Sequence, residues 1–301
     1  MQKNSSTRIA RRSPCVRLAW WGTVLVLTLA TAACGLIKIG YRNADTVGLL
    51  WIDRYLDLTS EQESFVKPRL RELVKWHRTT QLPDYAAFAT EMQKLAPRPI
   101  TPAEVTALAR QLRQRAYTTV EHALPAMADL ALRLTPDNIS AMEDKFADND
   151  DKFRHDNFVN GDVGKQQKAR YEKTLDRIEE WYGRFSREQR AAIRKLSDTR
   201  PLDNDILLAE RQRRESELIA LLTRVEREKP SRDAVIDLLR RYDERFEFSP
   251  DPDKRAFQQA LRKATEAMDA AIHNLATPVQ RARASSKLQD WIDDFRSLSG
   301  A

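Results

Sequence analysis

Glycine is scarce in this sequence, with 8 in 301 residues. None lies between Gly48 and Gly161, and none between Gly183 and Gly300. Hairpin turns lean on glycine, so these gaps argue against an all-β or α/β fold. Cysteine is scarcer, with only Cys15 and Cys34. Histidine is limited to His77, His122, His155 and His273, and no His-Glu-x-x-His pattern joins any two of them. There is no Gly-x-Ser-x-Gly elbow for a hydrolase and no glycine loop to cradle a phosphate. These gaps leave no cofactor, metal or catalytic constellation to propose, and the chain reads as a non-enzyme.

Acidic residues are missing from the first 33 positions, which carry Lys3, Arg8, Arg11, Arg12 and Arg17. The formal net charge of +7 is therefore concentrated there. Without those five residues, 46 bases face 44 acids, which gives +2 for the remaining chain. A basic patch for nucleic acid needs an excess on the folded part, so no nucleic-acid partner is expected. Hydrophobic residues at 42% supply a core, and they are too many for a disordered chain.

The basic start leads into an apolar run, Leu18–Ala33, that ends in the small residues Ala30, Thr31, Ala32 and Ala33. Cys34 follows directly. This order is that of a secretory signal, and with the cysteine it resembles a bacterial lipobox. The resemblance implies cleavage before Cys34, lipid on its sulfur and a membrane attachment, with residues 1–33 as signal and 34–42 as a short lipidated tether. Cys15 would leave with the signal, and no thiol would remain free. Gly35 after the cysteine implies the outer membrane, facing the periplasm. The alternative is an uncleaved inner-membrane anchor over Leu18–Ile37, whose 20 uncharged residues match the length of a spanning helix. Thr31, where the lipobox prefers leucine, keeps that alternative open.

From residue 43 to 301 the pattern is helical. Apolar residues recur at helical spacing, and no useful segment alternates with period two. Helices are expected at about 43–57, 60–79 and 83–95, then a long one carrying Val105 to Met127, and then at about 136–157, 165–183, 187–198, 203–228, 231–247, 252–275 and 278–298. The fold class is all-α, a bundle or array of about ten helices. Pro68 and Pro125 are candidate bends. Val105, Leu108, Leu112, Val120, Leu124 and Met127 form one expected core stripe. Phe257, Ala260, Leu261, Ala264, Met268, Ile272 and Leu275 form another, and Leu288, Trp291, Ile292 and Phe295 a third. Asn157–Gly164 is the best loop and the candidate boundary between two helical halves.

One phrase recurs. It reads Leu58-Thr59-Ser60-Glu61-Gln62, Leu134-Thr135-Pro136-Asp137-Asn138, Phe185-Ser186-Arg187-Glu188-Gln189 and Thr277-Pro278-Val279-Gln280, with Thr101-Pro102-Ala103-Glu104 as a cousin. Each is a capping box: the hydroxyl accepts a backbone N–H bond, and the residue three on bonds back. The segments around Trp51–Gln62 and Trp181–Gln189 look alike, which hints at a duplication. Leu58–Gln62 also resembles the Leu-Thr-x-x-Gln motif of helical periplasmic chaperones similar to spheroplast protein Y. That likeness implies binding of unfolded clients as an alternative function.

Other candidates read as structural. His77 lies on an apolar stripe and is expected as a hydrogen-bonded core residue. The acidic stretch Asp148, Asp150, Asp151, Asp156 and Asp162 reads as a solvated helix end and loop. The run Glu210–Glu217 reads as a solvated face paired at Glu210/Arg214, Arg211/Glu215 and Arg213/Glu217. Glu63-Ser64 and Glu215-Ser216 echo the catalytic dipeptide of lytic transglycosylases, without that family's second motif. A glycan-cleaving enzyme is the weakest alternative.

The block Tyr41-Arg42-Asn43-Ala44-Asp45, Leu50-Trp51-Ile52-Asp53-Arg54-Tyr55-Leu56-Asp57-Leu58, Trp76-His77-Arg78 and Leu82-Pro83-Asp84-Tyr85, with Cys34 before it, resembles an uncharacterised family of proteobacterial all-helical lipoproteins. The resemblance implies one helical domain and an envelope location, and it brings no activity. Trp51, Tyr55, Trp76 and His77 are then the candidate binding surface, with a core role favoured because they share stripes with aliphatics. The expected partner is an unidentified envelope protein, for an interaction or scaffold module.

Overall fold

A computed structural model describes residues 40–300. The signal, Cys34 and most of the expected tether lie outside these residues. Among the described residues there are no strands, and eleven α-helices follow from Ala44. They are α1 (Ala44–Leu56), α2 (Ser60–Trp76), α3 (Leu82–Leu95), α4 (Pro102–Ala131), α5 (Pro136–Asn157), α6 (Val163–Tyr182), α7 (Arg187–Asp198), α8 (Asn204–Glu228), α9 (Arg232–Phe246), α10 (Pro252–Leu275) and α11 (Pro278–Ser299). The all-α expectation holds, and most boundaries fall within two residues of those read from the sequence.

One junction differs. A helical break was expected after residue 79. Instead α2 widens into a π-helical segment, His77–Gln81, that runs straight into α3. Pro83 sits in the first turn of α3, directly after the π-helical segment. Pro68 and Pro125 are likewise carried within continuous helices.

The helices form two four-helix units of matching order. In the first, α1 packs on α2, α2 on α4 and α1 on α5. In the second, α6 packs on α7, α7 on α10 and α6 on α11. The Asn157–Gly164 segment lies between the two units in the chain. Each unit carries an insertion that packs on the other. The first inserts α3, which lies along α11; the second inserts α8 and α9, which cover α5 and α4. Tyr55, Leu58, Val66, Leu124, Ala128, Leu134, Ile139, Leu222, Val225 and Val235 form the largest core. That core therefore draws on both sides of the loop. A second core holds Phe185, Ile193, Met268, Ile272 and Ala276.

Three sequence readings are corrected by burial. Met127 is 44% exposed, because the buried stripe of α4 continues through Leu124, Ala128 and Ala131 instead. Ala260 faces solvent, because the buried part of α10 begins only at Met268. The charge run of α8 is not a solvated face: Glu210 and Arg211 are buried, because α5 and the chain after α9 close over them.

Candidate functional site

The recurring cap phrase does more than start helices. All five sites form complete capping boxes, at Thr59/Gln62, Thr101/Glu104, Thr135/Asn138, Ser186/Gln189 and Thr277/Gln280. Four of them then interlock in two pairs. Gln62 Nε2 donates to Asn138 Oδ1 at 2.7 Å and to the Arg133 carbonyl at 2.9 Å. Asn138 Nδ2 donates back to Gln62 Oε1 at 3.3 Å and to the Asp57 carbonyl at 3.1 Å. In the second unit, Gln189 Nε2 donates to Gln280 Oε1 at 2.9 Å and to the Leu275 carbonyl at 3.0 Å. Gln280 Nε2 returns the bond at 3.3 Å and reaches the Arg184 carbonyl at 2.9 Å.

In all four cases the carbonyl reached stands two residues before the partner's cap residue. Each amide thus satisfies its own cap, the facing amide and an orphan carbonyl at the end of the facing helix turn. The buried flanks match as well. Leu58 and Phe185 precede the caps, and Val66 and Ile193 follow them by seven residues. The two pairs thus share one local bonding pattern.

The candidate binding residues fall into two groups. Tyr55 is buried, and Trp51 packs on it with ring centroids 4.9 Å apart while staying 37% exposed. Tyr55 Oη also accepts from Asn149 Nδ2 at 3.1 Å. Trp76 stacks flat on His122 at 3.7 Å. His77 is buried at the start of the π-helical segment, with its Nδ1 2.8 Å from Tyr41 Oη. Tyr41, assigned to the tether from sequence, is thus already part of the fold.

The second unit has a similar pair, with His273 Nδ1 2.9 Å from Tyr182 Oη. His273 Nε2 lies 2.9 Å from the Arg98 carbonyl. A carbonyl only accepts, so Nε2 carries the proton and Tyr182 donates to Nδ1. His77 Nε2 has no such partner. Burial pushes His77 down from its ordinary 6.5 to about 4, and burial also lowers His273. Both rings are neutral at pH 7. His122 and His155 lie on the surface.

The site that sequence reading missed is a buried charge network between α5 and α8. Arg211 Nε donates to Asp150 Oδ1 at 2.6 Å and its Nη2 meets Glu215 at 2.8 Å. Asp150 is therefore not part of a solvated helix end. Glu210, 1% exposed, accepts from Ser249 Oγ at 2.7 Å and Arg213 Nε at 2.9 Å. Burial is the main cause that lifts Glu215 to about 7, with Asp150 beside it adding to the rise. The signal was present: aspartate at 150 sits on the inward side of an amphipathic helix. Glu63 lies exposed in the first turn of α2, and Glu215 is tied to Arg211. Asp162 caps α6 by accepting from the Lys165 N–H at 2.9 Å. Among the described residues no group of His, Cys, Asp or Glu has metal-holding geometry, and no helix is long and apolar enough to cross a membrane.

Comparison with known families settles one point. The Family of unknown function (DUF6279) matches residues 54–255, about two thirds of the chain. The chain belongs to DUF6279. No curated protein and no solved structure matches it. The span matched to DUF6279 contains the whole first pair of interlocked caps. Of the second pair it contains only the Ser186–Gln189 member, since Thr277–Gln280 lies beyond residue 255.

Proposed function

We propose that this DUF6279 protein is a lipoprotein of the cell envelope, held by lipid on Cys34, that serves as a non-enzymatic interaction or scaffold module. The observation that carries it is Cys34 itself, placed directly after a basic start, an apolar run and four small residues. Two further features support it. The body begins within a few residues of Cys34, so it would sit close to the bilayer. Its buried charges are engaged with one another, as Asp150, Arg211 and Glu215 are, which suits a structural role. The outer membrane is the proposed location; an inner-membrane anchor through residues 18–37 is the alternative.

Cys34→Ala in cells is the test. Loss of incorporated labelled palmitate, with accumulation of an unprocessed chain, is the expected result. Unchanged processing and membrane attachment would overturn the lipid anchor and leave the spanning segment in its place. Crosslinking in living cells through a C-terminal tag then addresses the partner. One or two folded envelope proteins fit a scaffold, whereas many unrelated exported chains would favour the chaperone alternative. The likeness at Leu58–Gln62 lends that alternative little support, because Gln62 is 5% exposed and spends its amide inside the fold.

A further inference from the structure

Helix α1 is apolar on both sides. Its inner side supplies Leu49, Ile52, Tyr55 and Leu56 to the main core. On its outer side Val47 is 46% exposed, Leu50 63% and Trp51 37%. These three stand at i, i+3 and i+4, so they share one face. Arg42 and Arg54 flank the face and are exposed. A water-facing helix would place polar residues there. Aliphatics with a tryptophan, edged by cations, are instead the make-up of a helix lying in the headgroup region of a membrane.

Chain connectivity points to the same occupant. The uncharged run Leu18–Ile37 ends only four residues before Tyr41, with Lys38 between them. Nine residues lie between Ile37 and Val47, and an extended chain across that interval spans about 35 Å at most. Whether the chain is held by Cys34 or by the run itself, α1 stays near the bilayer surface, at high effective concentration. Charge is complementary as well. A groove beside α1 is lined by Arg42, Arg71, Val74, Lys75 and Arg78, with Asp45 as its acid. Packed helices lie about 8–10 Å apart, so α2's cations stand about one Debye length behind α1. Cations at that range are drawn to an anionic leaflet.

We propose that the outer face of α1, made by Val47, Leu50 and Trp51, docks into the headgroup region of an anionic phospholipid bilayer. The proposal rests on the reading that residues N-terminal to α1 attach the chain to a membrane. It adds that the folded body does not hang free from its tether but lies against the surface through α1.

The test uses the full chain in vesicles of phosphatidylcholine and phosphatidylglycerol, with and without bromine on the acyl chains. Subtracting the emission of Trp51→Phe isolates Trp51 from the other tryptophans. Flotation of the same samples reports attachment separately. The expected result is that Trp51 emission is quenched by brominated lipid, and that Leu50→Glu abolishes the quenching while the chain still floats. Leu50 is exposed, so that variant keeps its fold, which circular dichroism checks. Flotation with no Trp51 quenching would overturn the docking and leave the attachment standing. No flotation would sink the attachment reading and the docking with it. Trp51 emission that depends on protein concentration and not on lipid would also overturn the docking, by giving the face to a second copy of the chain.

Discussion

The two interlocked cap pairs share a design but not an environment. In the first, Gln62 and Asn138 are 5% and 2% exposed. In the second, Gln189 and Gln280 are only half-buried. The bond pattern is the same, down to the offset of two residues between cap and carbonyl. What differs is the covering. The first pair lies in the main core, to which α8 and α9 contribute Leu222, Val225 and Val235. The second sits at an edge, where Glu188 and Thr277 meet solvent. An amide network matters more where water is excluded, because a lost partner then has no replacement.

The largest expected effect follows from that contrast. Asn138→Ala strips the Leu56 and Asp57 carbonyls, the Gln62 amide and the Thr135 N–H of their partner. We expect a loss of about 3 kcal/mol. Gln280→Ala makes the analogous cut in the second pair and should cost about 1 kcal/mol, since water can reach the freed groups. Denaturant midpoints of the two variants measure both. Equal losses would break the comparison.

The two tyrosine–histidine pairs give the next effect, and its sign is set by pKa. Folded His77 titrates near 4, against an ordinary 6.5. Between those values the unfolded chain takes up a proton that the folded chain refuses. His77 therefore contributes stability that is complete above pH 6.5 and is lost as pH falls towards 4, up to about 3 kcal/mol. His273 acts in the same direction. Glu215 opposes both, because its folded pKa near 7 makes stability decline as pH rises from about 4.5 to 7. His77→Gln should flatten the acid side of a stability–pH curve, and Glu215→Gln the neutral side. If His77→Gln leaves the acid limb unchanged, the neutral buried ring is wrong.

A smaller effect separates the turns that lead into the caps. Gly183 adopts φ 75° and ψ −165°, a region open almost only to glycine, and an added Cβ would lie 3.1 Å from the Arg283 side chain. Gly183→Ala should cost about 2 kcal/mol. The first unit makes its turn with Asp57 at φ 46°, so Asp57→Gly relieves strain and should gain at most about 1 kcal/mol. Thermal melts of both variants decide it, and a neutral Gly183→Ala would mean that Arg283 and the backbone both yield.

Most of the fold was legible, for local reasons. Capping boxes, prolines at first turns and apolar stripes act within one helix, so the sequence shows them directly. What it hid is long-range. Asp150 and Arg211 look like surface charges until α5 and α8 are brought together. Gln62 and Asn138 look like isolated caps until two helix starts face each other 76 residues apart in the chain. Even so, the repeated glutamine at the third helical position was a usable sign. Capping alone is served as well by glutamate, as at Glu104, whereas only an amide can both cap and donate across to a neighbour. Glu104 belongs to the one box without such a partner, so residue type at that position separates solitary caps from paired ones.

That distinction yields the finest test. A double-mutant cycle on Gln62 and Asn138 should return a coupling of about 1–2 kcal/mol, and the same cycle on Gln189 and Gln280 about 0.5 kcal/mol. Replacing Gln189 and Gln280 together by glutamate keeps both caps and removes both donors across the pair, so the favourable coupling should be lost while α7 still starts at Arg187. If the double glutamate variant left the coupling intact, the amide pair would not be joining the helices at all. The repeat would then lie in the capping alone, and two helix starts placed side by side by their apolar neighbours would be enough to explain both units.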